Sequence, residues 1–334
     1  MKYTAWILNR IAPDIDESLI SRNNLTGEIV GGQYENIKIL DELRRQNIDA
    51  HIIDLKKLTI DDISKVPDIS FVRMTSYLDI PKIQKIQDMG SLMLNPVDCH
   101  VKCSIKWTHL ELLKNAGIRI PDTLLIEFSP AMGKKWDWNN GIIYEADLTN
   151  DEKYIDLDNN KQIQIAGEKL GWPLIVKPLW GTGGELVQLC YNINDFIVAS
   201  KKIQRRYNTP NVLAQKYINH NIKGVISAWM LGDEIKFCQL RKANSDTKLF
   251  ISNNAKDGIR EEYKITTELV DICARTSQIL SCEISKVDLL CDENGYMICE
   301  VNAPGAFTGV DSISNVDYGA MIAQYGIERL KAIR

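Results

Sequence analysis

Short apolar runs and amphipathic stretches alternate along the first hundred residues. YTAWIL, AHIID, ISFVRM and SLMLN read as short buried strands. Between them ENIKILDELRRQ carries Ile37, Leu40 and Leu43 at helical spacing, with charges on the other face. DIPKIQKIQDMG repeats that pattern and stops at Gly90. Strand–helix alternation of this kind predicts a parallel sheet packed with helices, and such sheets bind ligands at the carboxyl ends of their strands. Arg73 follows one of these strands and reads either as a holder of an acidic substrate group or as a solvated loop arginine.

A second unit begins near Asp98. SIKWTHLELLKNAGIRIP predicts one amphipathic helix, capped by Ser104 and stopped by Gly117, and DTLLIEF predicts a strand. Residues 130 to 160 break the pattern: they are rich in Asp and Asn and hold Trp136 and Trp138. A loop this long is a lid, a binding element or a plain surface hairpin. Next, Leu174 to Lys177 reads as a buried strand ended by Pro178, and Gly181, Thr182, Gly183 and Gly184 form a turn before another strand. Glycines let the backbone approach a phosphate and point its N–H groups at the anion. No Gly-Lys-Ser/Thr follows and the turn leads into a strand, so this is not a Walker A loop. NINDFIVASKKIQRRYN reads as a helix with a solvated basic face, VLAQKYI as a strand, and VISAWMLGDEIKF as a strand pair turning at Gly232-Asp233. Two more amphipathic helices are predicted, TTELVDICARTSQIL and YGAMIAQYGIERLKAI.

Between those two helices lies the richest stretch, VDLLCDENGYMICEVNAPG, from Val287 to Gly305. It predicts a hairpin turning at Asp292-Glu293-Asn294-Gly295, where Asn-Gly suits the positive backbone angles of a tight turn. Strict alternation along its second strand puts Tyr296, Ile298, Glu300 and Asn302 on one face, with the last two about 7 Å apart. Asp288 then lies across from them. Asp, Glu and Asn are hard oxygen donors, the set that suits magnesium bound jointly with substrate phosphates.

Composition narrows the classes. With 334 residues the chain has room for two or three domains. A net charge of −4 gives no electrostatic reason for nucleic acid or an anionic membrane as partner. No run of about 18 apolar residues is present, and the apolar stretch after Lys2 is short for a signal peptide, so a cytoplasmic protein is expected. The eight cysteines fit that compartment as reduced thiols. Cys99, His100, Cys103 and His109 cluster in sequence, but the C-x3-C spacing lacks a second ligand pair downstream and reads as helix.

Asp288 followed by EVNAPG resembles the metal-binding end of the ATP-grasp superfamily, and specifically its RimK-like amino-acid ligases, whose usual EVNASPG is one residue longer. The resemblance implies an α/β fold of three domains with an N-terminal parallel sheet. Its expected bounds are 1–97, 98–210 and 211–334, with ATP between the second and third. It implies phosphate contacts from Lys106, at the start of its helix, and from Lys177, four residues before the glycine loop that closes over the triphosphate. The hinge strand would read adenine through Gln215, Lys216, Tyr217 and Ile218, where relatives often have QEYI. Arg241 would face the transferring phosphoryl group. Asp288, Glu300 and Asn302 would hold one or two Mg2+ ions, with Mn2+ as a substitute. Val225 departs from the family, standing where relatives place an acid for the ribose hydroxyls, and valine accepts no hydrogen bond. Either Asn219, His220 or Asn221 takes over the role, or the nucleotide is held less tightly. Ser227 and the loop lysines Lys242, Lys248 and Lys256 stand where relatives have arginines.

The chemistry implied is amide formation. A substrate carboxylate attacks the γ-phosphate of ATP to give an acylphosphate and ADP, and an amine, of an amino acid or peptide, displaces phosphate. A glutamate carboxylate donor is implied by analogy, and dimers or tetramers are common among relatives. Two other readings share these residues: a kinase with an alcohol acceptor, and a nucleotide-binding regulatory protein without turnover.

Overall fold

The computed structural model describes residues 2–10, 34–74, 77–127, 159–181, 184–207, 209, 211–219, 224–242, 259–307, 310, 313–314 and 316–333. The Asp- and Asn-rich stretch with Trp136 and Trp138, along with Thr182, Gly183, His220, Asn221, Lys248 and Lys256, lies outside them.

The first sheet is the predicted parallel one. It is built from β1 (Thr4–Asn9), α1 (Tyr34–Arg45), β2 (Asp49–Asp54), β3 (Ile69–Met74), α2 (Ile80–Asp88) and β4 (Leu92–Leu94). Its strand order is β2-β1-β3-β4, and every pairing is parallel. Helix α1 buries Ile37, Ile39, Leu40 and Leu43, the apolar stripe seen in the sequence.

The helix expected from Ser104 is divided differently. A first helix, α3 (Val97–Cys103), starts after the extended Pro96, and Ser104 closes it, donating its hydroxyl to Val101 O. Ile105 is extended, and a second helix, α4 (Lys106–Asn115), begins with the lysine itself. Ser104 is therefore a C-terminal residue of one helix, not the N-cap of the next. The break has a consequence: Lys106 sits at a helix start, where its free N–H donates to Leu179 O at 2.7 Å.

A second sheet, order β5-β8-β6-β7, combines β5 (Thr123–Glu127), β6 (Leu174–Lys177), β7 (Gln188–Cys190) and β8 (Asn211–Lys216). Helices α5 (Asn159–Leu170) and α6 (Ile193–Tyr207) cover it, and Ile163, Ala166, Phe196, Ala199 and Ile203 form its core with Val176 and Val212. The third sheet is antiparallel, order β11-β10-β9-β12-β13. Its strands are β9 (Val225–Leu231), β10 (Glu234–Lys242), β11 (Ile259–Glu262), β12 (Ile284–Asp292) and β13 (Gly295–Asn302), and α7 (Thr267–Ile279) packs on one face. Of the Asn294-Gly295 pair, Gly295 supplies the positive angle, φ +104°.

The last helix, α8 (Tyr318–Ala332), binds the first sheet to the third. Ile39, Leu43 and Phe71 share one core with Trp229, Leu231, Ile284, Phe307, Tyr318, Ile322 and Ile327. Tyr318 is fully buried and donates its hydroxyl to Met230 O at 2.8 Å. Helix and sheet touch closely at Gly326, where an added Cβ would lie 2.4 Å from Phe71 Cζ. Gly326→Ala should therefore lower stability by about 1–3 kcal/mol through overpacking, outweighing the roughly 1 kcal/mol that alanine gains in helix propensity. Urea unfolding measures the net sign, and a stabilised variant would contradict this packing.

Candidate active site

The hairpin of β12 and β13 carries the predicted ligands, but not by simple alternation. Asp288 pairs with Glu300 and Lys286 with Asn302, whereas Leu289 pairs with Ile298, leaving Cys299 as an extra residue. Tyr296, Ile298 and Val301 pack with Val287, Leu289 and Cys291 under α7. Met297 and Cys299 pack on the opposite side with Val225 and Leu290. The expectation that Tyr296, Ile298, Glu300 and Asn302 share a face is thus corrected. The bulge reverses the parity, sending Glu300 and Asn302 to the side of Asp288 while Val301 stays in the core.

Around Asp288 the third sheet builds a charged wall. Asp288 is 5% exposed. It accepts hydrogen bonds from Ser227 Oγ and from Arg241 Nη2 at 3.0 Å, and Lys286 Nζ lies 3.1 Å away. Burial alone would raise its carboxyl pKa, but Lys286, Arg241 and the Ser227 hydroxyl outweigh it and hold the group below its ordinary value. Ser227 is across from Asp288 on β9, and Val225 is across from Arg241 on β10, so adjacent strands deliver all four. Lys286 was not anticipated. Two positions before Asp288, it shares its face by period two, a signal present in the sequence.

The second wall comes from the middle of the chain. Lys106 Nζ donates to Gly181 O at 2.6 Å and lies 3.2 Å from Glu300 Oε1, so one ammonium joins the glycine loop to the carboxylate wall. Lys177, buried at the end of β6, donates to Gln215 Oε1 at 3.0 Å, and Gln215 Nε2 donates in turn to Thr123 Oγ1. The loop needs its glycines: Gly181 and Gly184 take φ of +106° and +75°, and a Cβ on Gly181 would meet the Tyr207 hydroxyl at 2.3 Å. Glu185 fastens the loop end to α6 by accepting from Arg206 Nε and Tyr207 OH, both at 2.8 Å. Those two donors lower the carboxyl pKa.

At the end of β8, Lys216 is exposed and its N–H donates to Asp122 O. Tyr217 and Ile218 follow, and Ile218 packs against Val225, Leu290, Met297 and Cys299, an apolar bed beside the hinge. Val225 serves that bed. Arg73 does not stand as a substrate holder or a solvated loop residue: it is 8% exposed and donates to Glu35 at 2.8 Å and to Gly305 O at 3.3 Å. It cements α1 to the segment after β13.

Asp288, Glu300 and Asn302 supply hard oxygen donors on one face, with Lys106, Lys177, Arg241 and Lys286 around them. Donors of that kind beside a surplus of cations fit a divalent ion shared with a polyphosphate.

Comparison with known proteins identifies the family and the fold. A family model, the RimK-like ATP-grasp domain, matches residues 147–325. N-acetylaspartylglutamate synthase A of Mus musculus is 23% identical over 329 residues, covering 92% of this chain and 78% of that protein. A probable alpha-L-glutamate ligase of Rhodopirellula baltica is 30% identical over 169 residues, 50% of this chain and 40% of that protein. Among solved structures, the ATP-grasp ligase PsnB with minimal precursor, Mg and ADP superposes with a TM-score of 0.61 at 14% identity, covering 98% of both chains. D-alanine–D-alanine ligase of Bacillus anthracis with ATP gives 0.63 at 16%, covering 99% of this chain and 98% of that one. The shared fold is the finding from both structures.

Lys286→Met tests the charged wall without nucleotide. At pH 6 the variant should be less stable than wild type by about 1–3 kcal/mol, since a buried carboxylate loses one of its partners. A depressed pKa gives stability that is present above the unfolded value, near 3.8, and lost as pH falls through the folded one. The gap between the two proteins should therefore close below pH 4 in urea titrations. A gap independent of pH would show that Lys286 acts through packing alone.

Proposed function

The chain belongs to the RimK-like ATP-grasp family and is an ATP-dependent carboxylate–amine ligase working with Mg2+, and on that basis we propose that it joins a small-molecule or peptide carboxylate to the amine of glutamate. Glutamate forms part of the names of both the mouse and the Rhodopirellula relatives, which supports it as the amino acid joined. The observation that carries the assignment of the site is the meeting of Asp288, Glu300 and Asn302 on one face with Lys106 and Arg241.

The residues divide the work as follows. Mg2+, one or two ions with Mn2+ as a substitute, would be held by Asp288, Glu300 and Asn302 and would neutralise charge on the phosphates. Lys106 and Lys177 bind phosphate oxygens, exchanging Gly181 O, Glu300 and Gln215 for them. Arg241 stabilises charge on the transferring phosphoryl group and on the tetrahedral species that follows. The loop of Gly181, Thr182, Gly183 and Gly184 closes over the triphosphate and keeps water from the acylphosphate. Gln215, Lys216, Tyr217 and Ile218 read the adenine edge through their backbone, and the apolar bed of Ile218, Val225, Leu290 and Met297 takes its face. ATP then lies between a unit of residues 98–210 and one of 211–334, with 1–97 shaping the carboxylate pocket.

ADP release with Mg2+ and ATP, run against pools of amino acids and short peptides, tests the reading. Turnover should require a carboxylate and an amine together, with glutamate the best amine. Glu300→Gln should lower it on the order of 10²-fold or more. ADP formation indifferent to any added amine would sink the substrate assignment.

A further inference from the structure

The fold brings together three cysteines that the sequence keeps apart. Cys99 and Cys103 are four residues apart on α3 and so share a helix face. Cys282 comes from the turn between α7 and β12, almost two hundred residues later. Its sulfur lies 3.2 Å from Cys99 Sγ and 3.7 Å from Cys103 Sγ, and all three fall within 4.8 Å of one another. Three thiolates each about 2.3 Å from one ion stand about 3.8 Å apart, so this triangle has the size of a metal site. The backbone is held for it: Lys102, between the two helix cysteines, donates to Ile279 O and Ser281 Oγ and pairs with Asp98. That clasp fixes the Cys282 turn against α3.

A second observation points to a ligand. His109, one turn into α4, is 1% exposed, and neither ring nitrogen has a hydrogen-bond partner among the described residues. A buried imidazole left so is penalised unless something takes its lone pair. Its ring nitrogens lie outside the 4.8 Å set of the three sulfurs, so as a ligand it would close in on the ion. A disulfide would use two of the sulfurs and leave both the third and the imidazole unexplained.

We propose that Cys99, Cys103 and Cys282, with His109 as fourth ligand, form a zinc site that pins the α3–α4 corner to the start of β12. Cys3His is a ligand set of closed, four-coordinate structural zinc. Lys106 follows Cys103 by three residues, so the ion would fix the helix start that presents Lys106 to the glycine loop and Glu300.

The test is metal analysis of the full chain, purified under reducing conditions from zinc-supplemented cells. One equivalent of zinc per chain is expected in wild type and in the control Cys190→Ser, and none in Cys282→Ser. Wild type reloaded with Co2+ should show thiolate charge-transfer absorption and the visible bands of a tetrahedral ion, which His109→Ala should change. The cobalt spectrum needs no variant, so a Cys282→Ser chain that fails to fold leaves the test intact. Three titratable thiols with no bound zinc or cobalt would overturn the site, as would a Cys99–Cys282 disulfide, seen as a mass lower by two hydrogens. A cobalt spectrum unchanged by His109→Ala would overturn the fourth ligand.

Discussion

One extra residue in one strand decides where the charge goes. Side chains on a strand alternate, and the third sheet is apolar on the face under α7. Without the bulge at Cys299, Glu300 would point into that face among Val287 and Leu289, an ionised group with no partner in the core. With it, Val301 fills the core and both Glu300 and Asn302 turn to Asp288. The wall of hard oxygen donors, and the reach of Lys106 to Glu300, follow from that single irregularity.

The same wall shows how a buried charge is tolerated. Asp288 gives up nearly all contact with water, and the loss is offset by a hydroxyl and two cations from three different strands. Lys106 is balanced by Glu300 and a carbonyl, and Lys177 by a side-chain amide. Each cation is thus held in place by acceptors of the protein itself, so the polar groups proposed to meet a polyphosphate are already ordered by the fold.

Much of this was legible in the sequence. Apolar runs located β1 to β4, and the LIVK strand with its glycine turn placed Lys177 and Gly181 correctly. The Asn-Gly hairpin set Asp288 against Glu300. What escaped had local causes. No periodicity announces a bulge: beside it the Ile298 N–H donates to Arg119 O, a partner far away in the sequence. The break at Ile105 hides within an amphipathic pattern that runs through it, which moved Ser104 from one helix end to another. Arg73 looked like a loop residue because its partners, Glu35 and Gly305, lie 38 and 232 positions away. Cys282 likewise gave no spacing signal, being 179 residues from Cys103.

The core shared by α8 and the first sheet bears on how the chain is made. Phe71, Ile39 and Leu43 leave the ribosome well before Tyr318, Ile322 and Ile327, which cover them and are synthesised more than 240 residues later. Parallel pairing of β1, β2 and β3 can begin during translation, but one flank of that sheet stays bare until the closing helix emerges. At roughly 5–20 residues per second that interval lasts on the order of tens of seconds. Over that interval the nascent protein carries an exposed apolar surface, the kind of surface that chaperones shield.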